Sequence, residues 1–254
     1  MYAELSITSN FTFLTGASHP EEYMERAVTL GLPAIAIADD NSVAGIVRAH
    51  TQAREIARKV RERRAWDEQN TPIGPPCPDH IPKPPSFPVH AVPRLVPAAR
   101  LLFTDAPPIT ALPLNRQGWA NLCRILSTGR LRTTKGHCDL QLADLLDHSE
   151  GLQCLIWPKG DWATAARRLG ACAPDRLHVL LCPHYDGQDS TRFATLTRQA
   201  AALDLPTVMQ ACPEFASWAR NLGGFLKDWG DLHRVAGQLR PMIGVSEHAW
   251  NVAQ

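Results

Sequence analysis

Residues 32–44 read LPAIAIADDNSVA, and the first seven of them decide the fold. Residues 32–38 form a continuous apolar run too short for a helix, which suits a strand covered on both faces, with Asp39 at its C-terminal end. Working outward, residues 2–7 suit a short strand. Ser18 followed three positions later by Glu21 predicts a capping box, with Pro20 in the first turn. Tyr23, Ala27, Val28 and Leu30 then mark an apolar helical face, and Gly31 supplies a left-handed stop. Beyond the run, Ser42 can cap a second helix in which Val43, Ile46, Val47, Ala53, Ala57 and Val60 recur at helical spacing.

The same alternation continues down the chain. Ten of the 21 prolines fall between Pro72 and Pro97, so no helix or central strand can run through most of that stretch, which reads as a linker or an extended surface loop. Residues 95–103 and 109–114 predict two short strands around a Thr-Asp-Ala-Pro-Pro turn, and Asn115 caps a helix carrying Trp119, Leu122, Cys123 and Leu126. Residues 139–148 suit another helix. Residues 152–157 (LQCLIW), 177–182 (LHVLLC) and 206–210 (PTVMQ) suit strands, separated by helical patterns at 161–169 and 190–204. Strand and helix in repeated alternation predict an α/β fold with a parallel sheet, open or closed into a barrel, whose site lies at the C-terminal strand ends. From Ala211 on, Trp218, Trp229 and Trp250 stand out, and a helix at 214–222 is the only periodic element.

Composition narrows the function classes. The 254 residues carry 26 Lys+Arg against 25 Asp+Glu, a net charge of +1, which excludes a strongly basic body. The densest positive run, Arg54, Arg58, Arg61, Arg63 and Arg64, reads either as a solvated helix face near the negative end of the macrodipole or as a contact for nucleic acid. No apolar stretch approaches the ~20 residues that cross a bilayer, and the N-terminus has no signal-peptide pattern. Seven cysteines stand singly with no CxxC, the pattern of small buried hydrophobes in a reducing cytoplasm. A soluble cytoplasmic protein without membrane contact is expected.

Chemistry at strand ends would need several His, Asp or Glu side chains converging on cations. Glu4, Asp39, Asp40, His184, Asp186 and Glu214 are the candidates, each with a structural competitor: helix capping at 39–42, a turn at 184–187, a helix start at Glu214. No HxH, HExxH, GxSxG or phosphate-cradling GxxxxGK[ST] occurs, and no DxD-type pair of the sort a polymerase uses to hold two magnesium ions.

The N-terminal stretch YAELSITSNFTFLTGASHPEEYMERAVTLGLPAIAIADDNSVAGIVRAH resembles the opening of the bacterial error-prone DNA polymerases of the C family, relatives of the DNA polymerase III alpha subunit. These begin with a PHP (polymerase and histidinol phosphatase) domain. The resemblance resumes at PRLVPAARLLF and continues through LPLNRQGWANLCRILSTGR, KGHCDLQLADLLDHSEGL and PHYDG to about Pro206. It implies a distorted seven-stranded β/α barrel over residues 1–210, with a proline-rich insert at about 68–94 and a C-terminal segment, 211–254, that departs from the family. The barrel is expected to be incomplete at its C-terminal end. A truncated copy, a split gene product and a free-standing module all remain open.

The resemblance also bears on the site. Metal-binding PHP domains carry an HxH, a TDH, a glutamate in a GxE-like strand and a late DxH. The matching positions here read Ser6-Ile7-Thr8, Ala38-Asp39-Asp40, Ala98-Ala99-Arg100 and Cys212-Pro213-Glu214. Ser6, Thr8, Asp40 and Glu214 therefore stand where histidines are expected, and Arg100, which cannot lose its proton and repels cations, stands for the glutamate. A degenerate site with no catalytic metal cluster is expected. The alternative is a phosphoesterase or proofreading exonuclease using Mn or Zn at residual ligands. The family's Mg-binding polymerase carboxylates have no counterpart here. The implied partners are the remaining domains of a C-family polymerase or its accessory proteins, with DNA reached through them.

Overall fold

The apolar run becomes β2 (Ala34–Asp40), whose Ile35 and Ile37 face one side and Ala36 and Ala38 the other, all four buried. A computed structural model describes residues 3–69, 92–184 and 186–210, and β2 lies near the start of a seven-stranded sheet. Before it come β1 (Glu4–Ile7) and α1 (Pro20–Thr29), and after it α2 (Gly45–Gln69). Next are β3 (Arg94–Leu101), β4 (Ile109–Pro113), α3 (Arg116–Leu131) and α4 (Leu142–Asp147). The described residues end with β5 (Leu152–Ile156), α5 (Trp162–Cys172), β6 (Leu177–Leu181), α6 (Asp189–Ala201) and β7 (Thr207–Met209).

The strands lie side by side in chain order. The sheet is mixed rather than wholly parallel: β4 runs antiparallel to both β3 and β5, while the other pairs are parallel. Residues 102–108 are too few to carry a crossover, so β3 and β4 join as a hairpin. Pro97 sits inside β3, tolerated because β4 pairs only from Ala99 onward and leaves that flank of Pro97 without a ladder.

Curvature follows from the interior. Leu5, Ala36, Ala38, Val96, Ala98, Leu112, Leu155, Trp157, Leu180 and Val208 form one cluster to which all seven strands contribute. The Gln210 side chain just after β7 reaches the Ser6 carbonyl on β1 at 3.0 Å, so the sheet curls toward a barrel, with alanines where β2 and β3 crowd the inside. The other face packs under helices: Ile7, Ile35 and Ile37 against Tyr23, Met24, Val28, Ala49, Ile56 and Val60, and the second half of the sheet against α3, α4 and α5. Among the described residues no backbone ladder joins β7 to β1, so the barrel is incomplete; Gln210 Nε2 spans the gap to the Ser6 carbonyl at 3.0 Å.

Local signals account for most element ends. Asn115 Oδ1 accepts the Gly118 N–H at 2.8 Å, as expected of a cap, and Gly31 has φ +64° after α1. The cap of α1 is displaced by one residue from the sequence reading. The His19 N–H donates to Glu22 Oε2 at 2.7 Å, so Glu22 closes the box and Glu21 is left to pair with Arg48 on α2. Ser18 is instead held to the preceding loop, its carbonyl accepting the Asn10 N–H. The helix read at 139–148 shortens to α4 because the Asp139 N–H is taken by the Gly129 carbonyl and the Leu142 N–H by Asp105. Most of the proline-rich insert, the helix read at 214–222 and the whole of 211–254 lie outside the described residues. No helix among the described residues is long and apolar enough to cross a membrane.

Two glycines test the packing. A Cβ at Gly118 would sit 2.0 Å from the Gly151 carbonyl oxygen, whereas one at Gly170 in α5 would meet nothing within 4 Å. Gly118→Ala should therefore cost about 2 kcal/mol through forced displacement of backbone, and Gly170→Ala should gain up to ~1 kcal/mol of helix propensity, both read by denaturant unfolding.

Candidate metal centre at the barrel mouth

Asp39 and Asp40 end β2 and, by strand alternation, leave the sheet on opposite faces. Asp39 shares the face of Ile37 and is 1% exposed. Its Oδ1 accepts the Ser9 N–H at 2.7 Å and the Thr12 hydroxyl at 3.0 Å, and its Oδ2 the Ser9 hydroxyl at 2.8 Å. The Asp40 N–H in turn donates to Thr12 Oγ1 at 2.9 Å. Burial pushes the Asp39 carboxyl above its ordinary range against the pull of these donors. Gly45 opens α2 directly over this carboxylate, since a Cβ there would lie 2.6 Å from Asp39 Oδ2. Asp39 thus clamps the β1–α1 loop and the start of α2 to the end of β2.

Asp40 faces the mouth of the barrel and forms an ion pair with Arg100, its partner in register on β3. The Arg100 guanidinium lies over the Trp157 ring, 5.3 Å from its centroid, and Lys159 approaches the same ring at 6.0 Å. Trp157 Nε1 donates to Thr110 Oγ1 at 3.0 Å, and Thr110 Oγ1 meets Ser6 Oγ at 2.9 Å. One continuous chain of contacts, Asp40–Arg100–Trp157–Thr110–Ser6, therefore crosses the mouth, and Gln210 closes it onto the Ser6 carbonyl. Sequence reasoning singled out Ser6, Asp40 and Arg100 but missed Thr110, Trp157 and Gln210. The available signal was the place of Trp157 and Gln210 at the ends of LQCLIW and PTVMQ, and of Thr110 near the start of the strand read at 109–114.

The other sequence candidates are scattered. Thr8 is buried beyond β1, and its Oγ1 has no hydrogen-bond partner among the described residues. Glu4 starts β1 in register with Ile35, at the opposite end of the sheet from Asp40, roughly 15 Å away along the strands. His184 is exposed after β6, its N–H bound to Asp189 Oδ1 at 2.9 Å, and Asp186 pairs with Arg192. Hydrogen bonding from Arg192 holds the Asp186 carboxyl below its usual range. Cys212 and Glu214 lie outside the described residues. On α2, Arg58 is tied to Glu55 and Glu62, and Arg63 to Asp67, while Arg54, Arg61 and Arg64 are exposed.

Among the described residues the mouth does not fit a cluster of divalent cations. The one carboxylate they place there, Asp40, already faces the Arg100 guanidinium. The hydroxyls of Ser6 and Thr110 meet each other, and the Trp157 N–H can only donate. Among the described residues no three His, Cys, Asp or Glu side chains gather where a metal ion could be held.

The clamp role of Asp39 has a measurable cost. Asp39→Ala strands the buried Ser9 N–H and two hydroxyls, and at ~1–3 kcal/mol for an unsatisfied buried group the variant should lose at least ~3 kcal/mol, read by denaturant unfolding. Asp39→Asn, which keeps one acceptor oxygen, should lose less.

Comparisons with known proteins find relatives over much of the chain. Residues 4–172 match the PHP domain model, and residues 204–254 match the model of the Replication protein C C-terminal region. An error-prone DNA polymerase of Ruegeria pomeroyi is 39% identical over 82% of this chain and 19% of its own length. One of Rhodopseudomonas palustris is 38% identical over 82% of this chain and 16% of its own. The chain thus spans less than a fifth of either polymerase. A solved Bifidobacterium adolescentis structure, named as a metal-dependent phosphoesterase, superposes with a TM-score of 0.47 at 13% identity, covering 82% of this chain and 86% of that one. With its family match running through β1 to α5, the chain belongs to the PHP domain family and is homologous to the error-prone DNA polymerases.

Proposed function

We propose that this chain acts as a structural PHP module of the kind that opens error-prone DNA polymerases, serving translesion synthesis and DNA repair in the cytoplasm, with a degenerate metal site and no polymerase centre of its own. The observation that carries this reading is the Arg100–Asp40 pair at the mouth. A fixed positive charge stacked on Trp157 sits where catalysis by a PHP barrel would need divalent cations, and a guanidinium neither releases its proton nor donates electrons to a metal. The surrounding hydroxyl, indole and amide groups complete a polar plug that links β1, β2, β3, β4 and β5 without a metal. The module's partners are then the remaining domains of such a polymerase, or its accessory proteins, and DNA is reached through them. Of the α2 arginines, Arg58 and Arg63 already pair with neighbouring carboxylates, while Arg54, Arg61 and Arg64 are exposed, so a direct contact with DNA would fall to those three.

The experiment is a metal analysis of the purified chain together with manganese- and zinc-dependent phosphatase and 3′-exonuclease assays. The expected result is no stoichiometric metal and no turnover from a folded sample. Bound ions in stoichiometric amount, with turnover lost in Asp40→Ala, would overturn the reading and make the chain a metal-dependent phosphoesterase.

A further inference from the structure

Several large apolar side chains stand in solvent at one end of the barrel. Phe11, Phe13 and Leu14 lie in the loop after β1, Val47 in the first turn of α2 and Leu131 at the end of α3, with Phe13 84% and Leu14 91% exposed. These three segments share the mouth: Gly45 lies against Asp39 and Ser9, and Arg130 Nη2 donates to the Asn41 carbonyl just past β2 at 2.8 Å. Ordinary surfaces scatter such residues singly, whereas here they gather around one opening.

The loop that carries the first three is held firmly. Ser9 and Thr12 are bound to Asp39, the Asn10 N–H to the Ser18 carbonyl, and Gly16 packs so closely that a Cβ there would lie 2.0 Å from the Ser9 carbonyl oxygen. Leu14 has φ +63°, a left-handed conformation that costs a non-glycine residue ~1–2 kcal/mol. Phe13 and Leu14 are therefore pre-arranged, with little conformational entropy left to lose when something covers them.

The described chain ends at this same mouth. The Gln210 N–H donates to the Leu181 carbonyl at 3.0 Å, its side chain reaches Ser6, and residues 211–254 follow from there. In that sequence Phe215, Trp218 and Leu222 recur at spacings of three and four, the period of an apolar face in the helix read at 214–222. Phe215 is five residues past Gln210, a reach of about 17 Å, enough to bring that face onto the rim. We propose that this apolar face in residues 211–254 packs onto the Phe11, Phe13, Leu14, Val47 and Leu131 rim of its own chain. The rim is thus the docking surface for the segment that matches a family other than the barrel's.

The test uses the full chain with a photo-reactive benzoylphenylalanine at position 14, and a control with the same probe at position 114 at the other end of the barrel. The expected result is a monomer-sized product in which the position-14 probe is joined to a peptide from 211–254. That product should be absent from the control and lost when Phe13→Asp is added. Phe13 is exposed, so the added substitution leaves the fold intact. A dimer-sized product, which would assign the rim to a second copy, or no cross-link into 211–254 would overturn the proposal.

Discussion

The period of two along β2 sends Asp39 and Asp40 to opposite faces of the same curled sheet, and the two carboxylates organise different halves of the barrel mouth. Asp39 turns outward among three donors and fixes the loop after β1 against the start of α2. Asp40 turns inward, meets Arg100 across the β2–β3 ladder, and through Trp157 and Thr110 reaches β5, β4 and β1. Both arrangements require β2 to be covered on both faces and crowded inside, which its alternating alanines and isoleucines achieve. A larger residue at Ala36 or Ala38 would compete with Leu112, Leu155 and Leu180 for the same interior.

The proposed exchange of a metal centre for an ion pair would change what the mouth can do. A cation cluster must keep open coordination positions for substrate and water, so it needs acceptors that are not already bound. The Arg100–Asp40 pair leaves no such acceptor on Asp40 free of a positive neighbour, and the stacked indole shields one side of the guanidinium. The pair is only part-buried, with side chains 13% and 23% exposed, so its attraction is moderated by solvent yet its partners stay tightly placed. On the proposed reading, such a mouth serves bracing rather than turnover.

Much of this was legible in the sequence because it is local. The LPAIAIA run, the Asn115 cap, the left-handed Gly31 and the strand at 152–157 each depend on neighbours within a few positions, and each appears where the pattern puts it, within a residue or two at the ends. The one-residue shift of the α1 cap shows the limit: Ser18 and His19 are both placed to cap, and the competition is settled by Asn10, from an earlier loop. The site was less legible because its bonds span the chain. Ser6 meets Thr110, Trp157 meets Thr110, and Gln210 meets Ser6, pairings no spacing rule reveals. Likewise Glu4 shares a strand with Ser6, yet only the register of β1 against β2 places it at the far end.

The account turns on the Arg100–Asp40 pair being a structural substitute for a metal centre, and a double-mutant cycle on stability, in buffer and with manganese or zinc added, tests that most directly. Arg100→Ala should cost more than the double variant, because it leaves Asp40 charged and part-buried without its partner. The two sites should be coupled by about 1–3 kcal/mol, and added metal should leave the parent chain's unfolding midpoint unmoved. Additive effects of the two substitutions, together with stabilisation of the parent chain by metal, would contradict it.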